Sequence, residues 1–239
     1  MTNNRRTKSF FKILVSQLAV ALFVTALSLS ILFYAEGYRF NYKNFKISRI
    51  GVIAVNSFPR EATVKINGKF KAKKTPYSQN SLPGYYNIEI SKDGYTAWDQ
   101  SVMVKSEFVE NFKNVVLFKA NPEIKTLTDQ RLTNQLNSPI DTLAVKKSGD
   151  LYYSNYELWV SGDLVTRFSE PISKAIWYPD KEHIIYQQSK EIRIIELIGT
   201  NDTLLVTLGD SNSTNFIIND KGDQLFYKDG GEYKVANIR

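Results

Sequence analysis

The sequence predicts a mainly β protein: an N-terminal transmembrane helix, a small antiparallel β-sandwich, and then a repetitive set of antiparallel sheets. Three observations predict this. Residues 13–35 run for 23 positions without a charged side chain. Residues 50–120 break into short runs that alternate apolar and polar side chains between turn residues. Similar strand–turn–strand phrases then recur up to Tyr153, Tyr186 and Tyr227, spaced 33 and 41 residues apart.

The composition bounds the function. The chain has 239 residues, enough for one or two domains. Zero Cys excludes a disulfide scaffold, a thiolate metal site and a Cys nucleophile. A single His speaks against a His-rich metal site. The net charge of +7 is unevenly placed: +7 over residues 1–49, +4 over 50–120 and −4 over 121–239. A nucleic-acid binder gathers its positive charge on the folded domain, so nucleic acid is not the expected partner.

The first element is the anchor. As a helix, Ile13 to Ala35 rises about 35 Å, enough for a hydrocarbon core of roughly 30 Å. Ser16, Thr25, Ser28 and Ser30 can bond back to helix carbonyls, and Phe33 and Tyr34 sit where aromatic rings favour the interface. Arg5, Arg6, Lys8 and Lys12 precede the run, which places residues 1–12 as a cytoplasmic tail. The far flank is also basic, through Arg39, Lys43, Lys46 and Arg49. A cleaved signal peptide is the competing reading; the run is longer than a signal core, and Phe33 would occupy the −3 position before Ala35.

Residues 36–49 form a polar, aromatic connector, and residues 50–120 form the sandwich. Ile50–Val55, Ala62–Ile66 and Tyr85–Ile90 read as strands, with further strands in Tyr95–Val104 and Glu110–Phe118. Asn67-Gly68 is a tight hairpin signal because both residues tolerate positive φ. Thr75-Pro76 breaks the chain, and Leu82-Pro83-Gly84 and Lys92-Asp93-Gly94 turn it. Lys69–Lys74 reads as a basic return strand or loop.

These residues resemble the PEGA domain. The name-giving tetrad stands as Pro59-Arg60-Glu61-Ala62, matching at its first and last positions, where Glu-Gly is usual between them. Val64, Asn67-Gly68, Thr75-Pro76, Pro83-Gly84-Tyr85-Tyr86 and Lys92-Asp93-Gly94-Tyr95 follow in the order and spacing of the family. The resemblance implies a β-sandwich interaction module of bacterial envelope proteins, often behind a membrane anchor, with no catalytic residues to carry over.

Residues 121–138 open with Asn-Pro and read as a linker or an irregular strand. Residues 139–239 hold the repeats, and Trp177-Tyr178-Pro179-Asp180 resembles the turn of TolB-like propeller blades. Two and a half to three units are present, whereas a closed propeller takes at least four blades, or roughly 160 residues. The region is therefore expected as an incomplete propeller-like set of antiparallel sheets.

No nucleophile motif, metal motif or phosphate loop occurs, so no cofactor, metal or enzymatic activity is expected. His183 has Asp180 and Glu182 as its nearby acids, and the expectation is an exposed or partly packed strand residue. Asn219, Asp220 and Asp223 crowd one turn, which reads as an Asx-rich hairpin rather than a Ca²⁺ loop. Lys69, Lys71, Lys73 and Lys74 are candidate contacts for anionic head groups or an acidic polymer, the alternative being a charged strand edge. Tyr152, Tyr153 and Trp159, with Tyr156, are candidates for stacking on a sugar, the alternative being cross-strand packing. The expected function is a membrane-anchored envelope binding or scaffold module. Its expected partners are the lipid bilayer and an envelope protein or polysaccharide, with self-association open. The alternatives are an envelope glycan-processing enzyme or accessory subunit, and a ligand sensor that signals through a partner.

Overall fold

A computed structural model describes residues 3–42, 45–138, 146–210 and 214–239. The chain is mainly β, with one long apolar helix and several small antiparallel sheets, and the described residues form no closed barrel or propeller. Val145, at the head of the first repeated phrase, lies outside the described residues.

Helix α1 spans Asn3–Ala35, so the helix runs back through the basic tail. Its stretch Lys12–Ala35 is long and apolar enough to cross a membrane, a property that a signal sequence shares. Thr25, Ser28 and Ser30 donate to the carbonyls of Ala21, Val24 and Ala26 at 2.8–2.9 Å, so these hydroxyls are satisfied within the helix. The helix ends in a glycine turn: Gly37, at φ +84°, donates to Tyr34 O at 3.2 Å. Strands β1 (Tyr38–Asn41) and β2 (Lys46–Arg49) then pair, so the described residues of the expected connector are ordered structure.

Strands β3 (Gly51–Phe58), β4 (Thr63–Ile66), β5 (Lys69–Phe70), β6 (Tyr77–Ser81), β7 (Gly84–Ser91), β8 (Trp98–Val104) and β9 (Val109–Val116) build two sheets. Their orders are β6-β3-β9 and β5-β4-β7-β8. Strand β3 buries every second residue, Gly51, Ile53, Val55 and Ser57, as a pleated strand with one covered face must. Asn67 (φ 50°) and Gly68 (φ 73°) form the tight turn between β4 and β5. Strand β6 carries no signal in the sequence: YSQNS lacks the apolar alternation that marks a strand.

The tetrad region is pinned from Thr75. The Ala62 N–H donates to Thr75 Oγ1 at 3.0 Å, the Thr75 N–H donates to Ala62 O at 2.9 Å, and the Ser57 and Thr75 hydroxyls lie 2.6 Å apart. Glu61 holds φ +60°. The left-handed turn that glycine would favour is thus kept with a side chain in its place.

Residues 121–138 contain strand β10 (Glu123–Thr126) and helix α2 (Gln130–Leu136), capped by the Asp129 carboxylate accepting from Arg131 N at 2.8 Å. Three four-stranded antiparallel sheets follow. The first holds β11 (Lys146–Ser148), β12 (Leu151–Tyr153), β13 (Glu157–Val160) and β14 (Asp163–Arg167). The second holds β15 (Ile172–Trp177), β16 (His183–Gln188), β17 (Glu191–Glu196) and β18 (Thr203–Thr207), in chain order. The third joins β19 (Phe216–Ile218), β20 (Gln224–Asp229) and β21 (Glu232–Asn237) to β10, in the order β10-β21-β20-β19. Strand β10 pairs with β21 from Glu123↔Asn237 to Thr126↔Lys234, so the last sheet is completed from upstream of all three sheets.

The second sheet is covered on both faces. Ile184, Tyr186 and Ile195 pack with Leu151, Tyr153 and Leu158 of the first sheet. Ile185, Ile192 and Ile194 pack with Phe216, Leu225 and Tyr227 of the third. Strand β16 is therefore buried continuously from His183 to Gln187, with no polar alternate face. The turns repeat at the level of single bonds. Tyr178 N donates to His183 O and Lys181 N to Tyr178 O; correspondingly, Asn219 N donates to Gln224 O and Gly222 N to Asn219 O. Lys181 and Gly222 both hold positive φ, at 61° and 70°.

The chain divides into two compact units. One comprises Met1–Val55, Tyr77–Tyr86 and Ser101–Phe112; the other comprises Asn56–Pro76, Asn87–Gln100 and Lys113–Arg239. The second unit contains the candidate site.

Candidate functional site

A cleft of about 450 Å³ opens in the larger unit, where the end of β3, Arg60, the end of β9, both repeated turns and Arg239 converge. Four cations line it, Arg60, Lys113, Lys221 and Arg239, against one carboxylate, Asp180. Lys113 and Lys221 are each placed by a local cause. Lys113 lies on the exposed alternate face of β9. Lys221 rides the β19–β20 turn, which is folded by Asn219 Oδ1 accepting from the N–H groups of Asp223 and Gln224, each at 3.1 Å. The Asx-rich reading of that turn thus has direct bonds behind it.

Tyr178 forms the base of the cleft. Its hydroxyl donates to Gly222 O at 2.8 Å and lies 3.1 Å from Arg239 Nη1, which donates to it. Burial, above all other causes, pushes the Tyr178 hydroxyl up to about 12, so it stays a neutral donor. The Arg239 guanidinium also stacks over the Phe58 ring at 4.1 Å. Its Nε is buried without a hydrogen-bond partner among the described residues.

Asp180 joins the cleft to the core. Its Oδ1 accepts from Glu182 N at 2.8 Å and His183 N at 3.1 Å, and its Oδ2 lies 2.8 Å from His183 Nδ1. Burial alone would raise this carboxyl, but the bonds from His183 and the two backbone N–H groups outweigh it and hold Asp180 below its usual range. His183 is buried at the start of β16 rather than exposed, with its ring edge-on to Phe118 and Tyr178. Its Nε2 lies 3.9 Å from Glu196, the residue opposite it in the β16–β17 register. Glu182, the other acid close in sequence, instead accepts from Asn114 Nδ2 at 3.1 Å. The space beside His183 is about 10 Å³, at the lower limit for one water. Both ring nitrogens face carboxylates, so this histidine is a packing and bonding element of the core.

The sequence candidates fall elsewhere and apart. Lys69 lies on β5, the edge strand of its sheet, and Lys71, Lys73 and Lys74 lie just beyond it. Tyr152 and Trp159 are cross-strand partners on β12 and β13, and together they line a shallow concavity of about 580 Å³. Tyr153 does not join them. It is 7 % exposed and packs in the core, because successive side chains on a strand point to opposite faces. Tyr156 is half exposed. The cleft escaped the sequence reading because its residues come from five separate segments between Asn56 and Arg239, and the motifs that hold Arg60 and Tyr178–Asp180 read only as turns. Among the described residues no cluster of three or more His, Asp or Glu side chains is arranged to hold a metal ion.

No curated protein matches the chain. Residues 50–117, under a third of the chain, match the PEGA domain family.

Proposed function

We propose that this chain is a non-enzymatic, membrane-anchored binding or scaffold module of a bacterial cell envelope. In this reading α1 crosses the bilayer with its N-terminus in the cytoplasm, and the β sheets stand outside. The observation that carries it is α1: the side chains of Lys12–Ala35 are exposed all round, Phe23 by 69 %, and none is buried among the described residues. A helix that is apolar on every face requires an apolar surrounding. The PEGA match over residues 50–117 and the basic residues ahead of the apolar run support the same reading. The three later sheets act as degenerate propeller blades, with β10 completing the last of them.

The cleft bordered by Arg60, Lys113, Lys221 and Arg239 is the ligand contact in this proposal, and its charge selects carboxylate or phosphate groups of an envelope polymer. The test is binding of the full-length chain, reconstituted in nanodiscs, to a uronate- or phosphate-bearing polysaccharide and to a neutral glycan of the same length. The charged polymer is expected to bind, and K113E/K221E to weaken it by about tenfold, since both lysines are exposed and the fold does not rest on them. Equal binding of the neutral glycan, or cleavage of either polymer, would overturn the reading.

A further inference from the structure

The β1–β2 hairpin carries an apolar face that none of the other described residues covers. Its register pairs Tyr38 with Arg49 and Phe40 with Ile47, so these four side chains share one face. Tyr42 and Phe45 extend that face past the strands, with Phe40 edge-on to both rings at 5.0 and 6.1 Å. Phe40 is 42 % exposed, Ile47 69 %, and Tyr42 and Phe45 each 79 %. The opposite face is polar, with Arg39 paired to Ser48 and Asn41 to Lys46. Isolated exposed apolar residues are ordinary, but four on one face of two four-residue strands and their flanks are not.

The hairpin is also fixed to the end of α1. Phe33 on the helix and Tyr38 on β1 meet edge-on at 5.4 Å. The Arg39 guanidinium stacks 3.6 Å over the Tyr34 ring and donates to the Tyr34 and Tyr38 carbonyls, each at 2.8 Å. At the base, Arg49 lies 2.5 Å from Glu107 and 3.9 Å from Glu36 and stacks on Tyr38 at 4.8 Å. These contacts hold the hairpin beside the last helical turn. A 24-residue span rises about 36 Å, so that turn lies at or just beyond the edge of a hydrocarbon core of roughly 30 Å.

We infer that the β1–β2 hairpin docks its aromatic face on the outer head-group layer of the same bilayer that α1 spans. Tyr and Phe rings suit that layer: the rings enter the acyl boundary, while Arg39 and Arg49 stay engaged in fixing the hairpin and Lys46, on the polar face, reaches the lipid phosphates. Attachment to the anchor removes the cost of finding the surface, so a face too small for an independent membrane anchor is enough here. The inference rests on α1 being a membrane span, and the test separates the two.

The chain has no Cys, so single Cys variants I47C, K46C and F23C can each carry an environment-sensitive fluorophore. Each full-length variant is placed in nanodiscs of mixed zwitterionic and anionic lipid carrying a doxyl quencher just below the head group or near the bilayer centre. The Phe23 site is expected to be quenched most from the bilayer centre. The Ile47 site is expected to shift to the blue and to be quenched from just below the head group about twofold more than the Lys46 site. Quenching at Phe23 with equal, weak quenching at Ile47 and Lys46 would overturn the docking and leave the anchor standing. A blue-shifted but unquenched Ile47 site would mean a protein surface covers the hairpin, and would also overturn it. An unquenched Phe23 site would remove the anchor and the docking together.

Discussion

The hydroxyl of Tyr178 donates to the carbonyl of Gly222 at 2.8 Å, joining the turns of two successive repeats. The bond requires a glycine. A Cβ at position 222 would lie 2.5 Å from Tyr178 Cζ and 2.8 Å from Cε2, and the residue holds φ +70°. Tyr178 is buried against Phe118 and His183, so moving its ring away from a new Cβ gives up those contacts. Gly222→Ala is therefore expected to cost about 3 kcal/mol, combining left-handed strain with overpacking. Chemical denaturation of the full-length chain in detergent, followed by Trp fluorescence, checks this; an unchanged midpoint would contradict it.

Glu61 presents the reverse case. It holds φ +60°, a conformation that costs a non-glycine residue about 1–2 kcal/mol. Glu61→Gly relieves that strain and gives back part of the gain as unfolded-chain entropy. The expected result is a net stabilisation of about 1 kcal/mol in the same assay. A destabilised variant would mean the Glu61 side chain makes a compensating contact.

How much was legible in the sequence follows from how local each signal is. The anchor is a continuous run, and the turn at Asn67-Gly68 needs only two residues, so both could be read directly. Strand β10 could not be. All four of its residues are exposed, and its partner β21 lies more than a hundred residues away, so no alternation in the sequence announces it. Strand β16 misled in the opposite way, because two covered faces erase the polar alternation and bury His183. The cleft was invisible because its charges meet only after the repeats have stacked.

Glu196 is the joint between the PEGA-matching residues and the second later sheet. Its Oε1 accepts from Trp98 Nε1 at 2.5 Å, and its Oε2 accepts from Thr200 Oγ1 at 2.8 Å and Asn201 Nδ2 at 3.0 Å. Glu196→Ala removes an acceptor that several donors share and is expected to cost about 3 kcal/mol. Glu196→Gln keeps an acceptor oxygen and should cost about 1 kcal/mol. Equal losses in the two variants would show that the carboxylate is not the organising group.

Lys174 sets a pH dependence. Burial pulls its ammonium down to about 8, while Nζ donates to Asn215 Oδ1 and Phe216 O, each at 2.9 Å. A lysine with a lowered folded pKa penalises folding while it is charged, and the penalty is complete below about pH 8. Between the folded value and the ordinary value near 10.4 the unfolded chain binds more protons, so stability rises with pH. Measured as the difference from Lys174→Met, the wild-type chain is expected to gain about 2 kcal/mol between about pH 7 and pH 10, because buried tyrosines such as Tyr178 titrate in the opposite sense in both chains. A parallel rise in the variant would assign the effect to another group.

Thiol labelling decides whether the β sheets stand outside a membrane crossed by α1. The variant D163C puts the chain's single thiol on β14, where Asp163 is exposed, and a membrane-impermeant maleimide probes it on intact cells stripped of any outer membrane. A second variant, T7C, puts the thiol ahead of the apolar run. D163C is expected to label without lysis, and T7C only after it. Labelling of D163C only after lysis would place the sheets in the cytoplasm and contradict the account.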